Sequence, residues 1–199
     1  MARRGVDVRR EEILAATVEL IDANGLAQTR VKDVASVLGI SAGLIFYHFE
    51  TKDALLAAAF QHAVRQDLLR LEQTVARYPD PVERLRRILA VYGPQGRAPG
   101  WRLWIDAWAL AQREPAIRRV LRHLDDEWRA ALLRTIEDGV GAERFRCADP
   151  TAAVARIGAL LDGLSVATLV YRTVSRTSLR TWVREATARE VAIDPGLLD

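Results

Sequence analysis

Thr29–Lys52, TRVKDVASVLGISAGLIFYHFETK, is the stretch on which the reading of this chain turns. Val31, Val34, Ala35 and Leu38 recur at i, i+3, i+4 and i+7, which gives a short helix one apolar face. Gly39 comes next and predicts a left-handed residue that ends this helix and turns the chain. Ser41 is placed to cap a second short helix through Ala42, Gly43, Leu44, Ile45 and Phe46 into Tyr47-His48-Phe49. Two short helices about a glycine turn form the geometry that seats a recognition helix in a major groove of duplex DNA.

Gly25, Thr29, Asp33-Val34-Ala35, Gly39-Ile40-Ser41, Tyr47-His48-Phe49 and Lys52 form a set whose order and spacing can be compared as a whole. Over this first quarter the chain resembles the DNA-binding head of the tetracycline-repressor (TetR) family of bacterial regulators. The resemblance implies a ligand-responsive transcriptional regulator, a repressor released from a palindromic operator by a small molecule and acting as a homodimer. It also implies roles for residues. Lys32 reaches a base edge or a phosphate; Ala42, Gly43 and Leu44 face bases beside the capping Ser41; Tyr47, His48 and Lys52 touch phosphates. Chemistry agrees, since small residues admit the helix to the groove and Leu44 can meet a thymine methyl. Lys52 adds a cation beside helix N-terminal amides that already favour phosphate. The plainer account makes Tyr47 and Phe49 core residues and His48 a solvated one. Two positions depart from the family pattern: Phe46 stands where tyrosine is frequent, and Leu44 where threonine is frequent. These leave open an alternative, a helical small-molecule-binding protein without specific DNA recognition.

Charge alone does not announce a DNA-binding head. The chain carries a net charge of +3, yet residues 1–53 hold seven Lys/Arg against eight Asp/Glu. Placement matters more than the total. Arg3, Arg4, Arg9 and Arg10 cluster in an N-terminal arm, readable as a minor-groove contact or as a solvated tail. Lys32 and Lys52 bracket the recognition helix and are the two lysines of the sequence.

Half of the 199 residues are apolar but only 7% are aromatic, a balance that favours helices. Nothing alternates at period two for long enough to predict a strand. The expected fold is all-α, with about nine helices: a three-helix head carrying the helix-turn-helix over residues 1–53 and an effector-binding and dimerisation body over 54–199. All seven prolines lie at or beyond Pro79, and Gly93–Gly100 is the clearest loop. The segment MARRGVDVRREE has no apolar core, and the run Ile157–Tyr171 is broken by Asp162 and short of the ~20 residues of a membrane span. A cytoplasmic protein with no membrane partner is the expectation. The single Cys147 excludes a disulfide within the chain and any Cys-pair metal site. Scattered histidines and the lack of a nucleotide or hydrolase fingerprint predict no enzyme, no cofactor and no metal.

In the body, Trp101, Trp104 and Trp108 share a helical face, read either as core or as one wall of a cavity. Family resemblance favours the cavity, and the Trp-rich helix, the Trp128 helix and Asp162-Gly163-Leu164 are similar to the choline-responsive betaine regulators. The candidate effector contacts are therefore Tyr92, Trp101, Trp104, Trp108, Trp128 and Asp162. Asp162 interrupts an apolar helix, so it needs a partner or a ligand. Asp125, Asp126 and Glu127 are read as a solvated run. Residues 151–192 are expected to pair two copies, through Val154, Ile157, Leu161, Leu164, Ala167, Leu179, Trp182 and Val183, with Gly158 and Ala159 allowing close approach.

Overall fold

Helices dominate the backbone that the computed structural model describes, residues 2–92 and 99–199, with side chains over 8–92 and 103–199. The order is α1 (Ala2–Asn24), α2 (Val31–Leu38), α3 (Ala42–Phe49), α4 (Lys52–Arg77), α5 (Pro81–Tyr92), α6 (Pro99–Ala111), α7 (Pro115–Gly141), α8 (Pro150–Leu169) and α9 (Arg176–Glu190), then a 3-10 turn, Pro195–Leu198. No strand occurs among the described residues. The expected all-α architecture is thus present. α1 begins at Ala2, so Arg3 and Arg4 continue a helix rather than forming a loose arm, and their side chains lie outside the described set.

The chain forms two compact units, Met1–Gln66 with Pro99–His123, and Asp67–Ala98 with Leu124–Asp199. In the first, Ile13, Ile21, Leu26, Val34, Ile45, Leu55 and Phe60 are buried together with Trp104, whose ring meets Phe60 edge-on at 5.3 Å between centroids. A loop joins α1 to α2 and is held by side chains from elsewhere in the unit. Asp106 accepts the Leu26 N–H at 2.8 Å, while buried Thr29 donates its hydroxyl to the Gly25 carbonyl at 2.9 Å.

In the second unit, α5, α7, α8 and α9 surround Leu85, Ile88, Trp128, Leu132, Ile136, Ile157, Leu161, Leu179 and Val183. Arg84 is buried here and has both parts of its head group occupied. Its Nε donates to Thr135 Oγ1 at 3.1 Å, and its Nη2 pairs with Asp138. That pairing fixes α5 to α7 and meets the requirement that a buried cation be paired. At the end of α7 the chain doubles back, and Phe145 lies so close over Gly139 that a Cβ there would stand 2.0 Å from the ring.

α8 differs from expectation in one respect. It extends back to Pro150 under an Asp149 cap, so it is long and apolar enough, by length and composition, to cross a membrane. One side of it is core: Val154, Ile157, Gly158 and Leu161 are buried within this chain, as are Leu179 and Val183 of α9. Those residues, expected in contact with a second copy, are spent inside the unit. What remains outward on α8 is a small-residue stripe, Ala155, Ala159 and Gly163, with Val170 and Tyr171 beyond it and Trp182 on α9.

Candidate functional site

The helix pair in Thr29–Lys52 is built by local chemistry. Gly39 ends α2 at φ 64°, a conformation that costs a glycine nothing, and the next amide, Ile40 N–H, returns to the Ala35 carbonyl at 3.0 Å. Ser41 then caps α3 in an extended conformation, its Oγ accepting the Leu44 N–H at 3.2 Å. Thr51 repeats the device for α4 by accepting the Ala54 N–H at 3.1 Å.

Ile45 and Phe49 anchor α3 in the core of the first unit, which turns the opposite side of the helix to solvent. Gly43, Phe46 and Tyr47 are exposed on that side, Tyr47 to 75%, and Ala42, Leu44 and His48 are half-buried along its edge. An exposure so large for a tyrosine removes the core account of Tyr47, whereas Phe49 is core. Lys32 is exposed on α2. Lys52 is half-buried with its Nζ 3.5 Å from the Ala27 carbonyl, so its ammonium is steered toward the α1–α2 loop. Arg10 does not join a cationic arm; its guanidinium lies 5.0 Å from the centroid of the Phe49 ring. One acid of the head, Glu12, is paired locally with Arg9, and the Glu11 carboxylate lies 3.0 Å from His62 Nδ1.

A second constellation lies in the second unit. Tyr92 at the end of α5 meets Trp128 of α7 edge-on at 4.6 Å, and its hydroxyl points to Asp162 Oδ1 of α8 at 3.5 Å. Burial pushes the Tyr92 hydroxyl well above its ordinary range, with the negative Asp162 adding to the effect. Burial likewise raises the Asp162 carboxyl to about 6, with Asp125 pushing the same way and Arg129 and the Tyr92 hydrogen bond opposing. Tyr92 and Trp128, with Asp125, Arg129 and Gly158, line a cavity whose apolar floor includes Ile88, Ile157 and Leu161. Its walls stand so close together that about one water-sized sphere fits freely.

Three of the six expected effector contacts therefore come together: Tyr92 and Trp128 in the wall, and Asp162 immediately behind Tyr92. Trp104 sits instead in the core of the first unit against Phe60, and Trp108 belongs to that unit as well. The Trp101 side chain lies outside the described residues. Asp125 was the residue that sequence reasoning set aside. It is not part of a uniformly solvated run; it lines the cavity and pairs with Arg129 at 2.7 Å. A sequence pattern does mark it, because Asp125, Trp128, Arg129 and Leu132 fall at i, i+3, i+4 and i+7, a single face of α7. Among the described residues no group of His, Cys, Asp and Glu is arranged to hold a metal ion.

Known proteins supply the wider setting. Residues 13–59 match the bacterial regulatory proteins of the tetR family, and residues 81–192 match the C-terminal region of BetI-type transcriptional repressors. The HTH-type transcriptional regulator BetI of Burkholderia cenocepacia is 32% identical over 166 residues, covering 79% of this chain and 80% of that one. The BetI of Stenotrophomonas maltophilia is 35% identical over 133 residues, 63% of this chain and 66% of its own. Among solved structures, a transcriptional regulator from Saccharomonospora viridis in complex with choline superimposes with a TM-score of 0.82 at 28% identity, covering 90% of this chain and 95% of that one. Both ends of the sequence, and the helical architecture that joins them, lead to one assignment: the chain belongs to the TetR family of transcriptional regulators, with a C-terminal region of the BetI type.

Proposed function

We propose that this chain is a homodimeric repressor whose residues 1–53 read a palindromic operator and whose residues 54–199 pair two copies and bind an organic cation that releases the DNA. The dimer would place two copies of α3 in successive major grooves, with residues 151–192 forming the contact between copies. Lys32, Ser41, Ala42, Gly43 and Leu44 would meet bases or the groove edge, and Tyr47, His48 and Lys52 the phosphates. Both steps place its work in the cytoplasm, where the operator is.

The observation that carries the effector reading is the cavity at Tyr92 and Trp128. Two aromatic rings, a carboxylate in the lining and a second one directly behind Tyr92 form a surround that favours a compact cation. The Saccharomonospora relative, which binds choline, supports the same class of ligand. The effector need only prefer the DNA-released state by the coupling free energy, about 1–3 kcal/mol.

Fluorescence anisotropy with duplexes drawn from the DNA beside the gene tests the proposal. A near-palindrome should bind far more tightly than scrambled duplex at the same salt, and choline should release it. Equal affinity for both duplexes would favour the alternative, a ligand-binding protein that no longer reads DNA; exposed Phe46 and half-buried Leu44 are the positions that would account for it.

A further inference from the structure

The cavity as it stands has no room for an organic cation, although its walls carry the chemistry for one. About one water-sized sphere fits, whereas a trimethylammonium group is several times larger. One cationic residue in the lining also reaches solvent. Arg129 is 39% exposed at its side chain, sits one position after Trp128 on α7, and pairs through Nε with Asp125 one helical turn earlier. Its guanidinium lies across the cavity wall at Gly158 of α8, where a Cβ would stand 3.7 Å from Nη2. A positive planar group thus already occupies the ground between Asp125 and Gly158 in the cavity lining.

We propose that Arg129 is the cavity's resident cation: it holds Asp125 and fills the head-group space until a cationic effector displaces it. This rests on the cationic-effector reading above and adds how the site is kept closed. The displacement balances in charge. The effector takes over Asp125, and Arg129 swings to solvent, where a guanidinium is well hydrated. A half-exposed i, i+4 pair of this kind is weakly held, so a modest ligand suffices. A Cβ at Gly158 would be in ordinary contact with all three outer guanidinium atoms, which places the charged group directly over α8 at that point.

Two substitutions separate charge from bulk. Arg129→Gln removes the charge but keeps most of the length; Arg129→Ala removes both. Calorimetric titration of the full chain uses tetramethylammonium and the larger tetraethylammonium as probes, with folding checked by the helical signal. Both variants are expected to bind tetramethylammonium about fivefold more tightly than the natural sequence. The alanine variant should also raise the ratio of tetraethylammonium to tetramethylammonium affinity, and the glutamine variant should not. Natural protein that binds the cations, with variants that bind them equally well or worse, overturns the proposal while leaving the effector class intact. An equal rise for both cations in Arg129→Ala also overturns it, because that is a change of field without a change of space. If neither the natural sequence nor the variants bind either cation, the effector reading and this inference fall together.

Discussion

Asp162 is a carboxylate whose surroundings penalise its charge, and that penalty has a measurable sign. Its carboxyl titrates near 6 in the folded chain, chiefly through burial, against about 3.9 in an unfolded one. The groups facing it are Tyr92 from α5 and Asp125 and Arg129 from α7. Between those two values the folded state holds the proton that the unfolded state has lost, so stability falls as pH rises through this window. Asp162→Asn is therefore expected to raise the thermal midpoint at pH 8 and to leave it unchanged near pH 4. An equal shift at both pH values would show that the asparagine acts through packing. For ligand binding the sign is opposite, because a cation prefers the ionised form. Choline affinity should drop when the pH is lowered from 7 to 5, and the drop should shrink in Asp162→Asn. Lys52 belongs to the same scale. Lys52→Ala should weaken binding to every duplex and reduce the salt dependence by about one phosphate contact, whereas Lys32→Ala should alter the preferred bases. A salt slope unchanged in Lys52→Ala would mean that its ammonium stays at the Ala27 carbonyl when DNA is bound.

At the level of helices, termini fix the geometry, and termini were the part most open to sequence reasoning. Gly39, Ser41 and Thr51 act on atoms within four residues of themselves, so their chemistry can be read without knowing what packs above them. Faces are harder. The Trp101/Trp104/Trp108 stripe and the Trp128 face have the same helical period, and only the fold sends Trp104 to Phe60 and Trp128 to Tyr92. Tyr92 and Asp162 are 70 positions apart, a separation no local pattern bridges. Asp125 was hidden by its acidic neighbours, although its spacing to Trp128 and Leu132 was there to be counted. Gly139 reads by residue type as a helix breaker, whereas it is helical and serves as the floor for Phe145, a packing that no local pattern announces. Gly139→Ala would drive a methyl group into that ring and is expected to cost about 1–3 kcal/mol, a loss of roughly 2–10 °C in thermal midpoint. An unchanged midpoint would mean that Phe145 can move aside freely.

For the molecule as a whole, the apolar residues of the last two helices divide into an inward and an outward set that the sequence alone could not separate. Val154, Ile157, Leu161, Leu179 and Val183 close the core of their own chain. In the proposed dimer a second copy would rest on the outward set, the Ala155/Ala159/Gly163 stripe with Trp182, which is 46% exposed. Small residues let helices approach closely across a two-fold axis, and an exposed tryptophan is a common anchor of such contacts. Sedimentation equilibrium should give a dimer at micromolar concentration. Trp182→Asp should give folded monomers that bind one half-site weakly and the full operator no better. A variant that remains dimeric would move the contact away from α9.

The placement of the lysines has a practical consequence. With twenty-seven arginines and two lysines in the sequence, ε-amines are confined to α2 and to the start of α4. An amine-selective acylating reagent is therefore a footprinting probe of the head alone, blind to the body and its cavity. Lys32, standing in solvent, should be modified faster than half-buried Lys52, and operator duplex should slow the reaction at both.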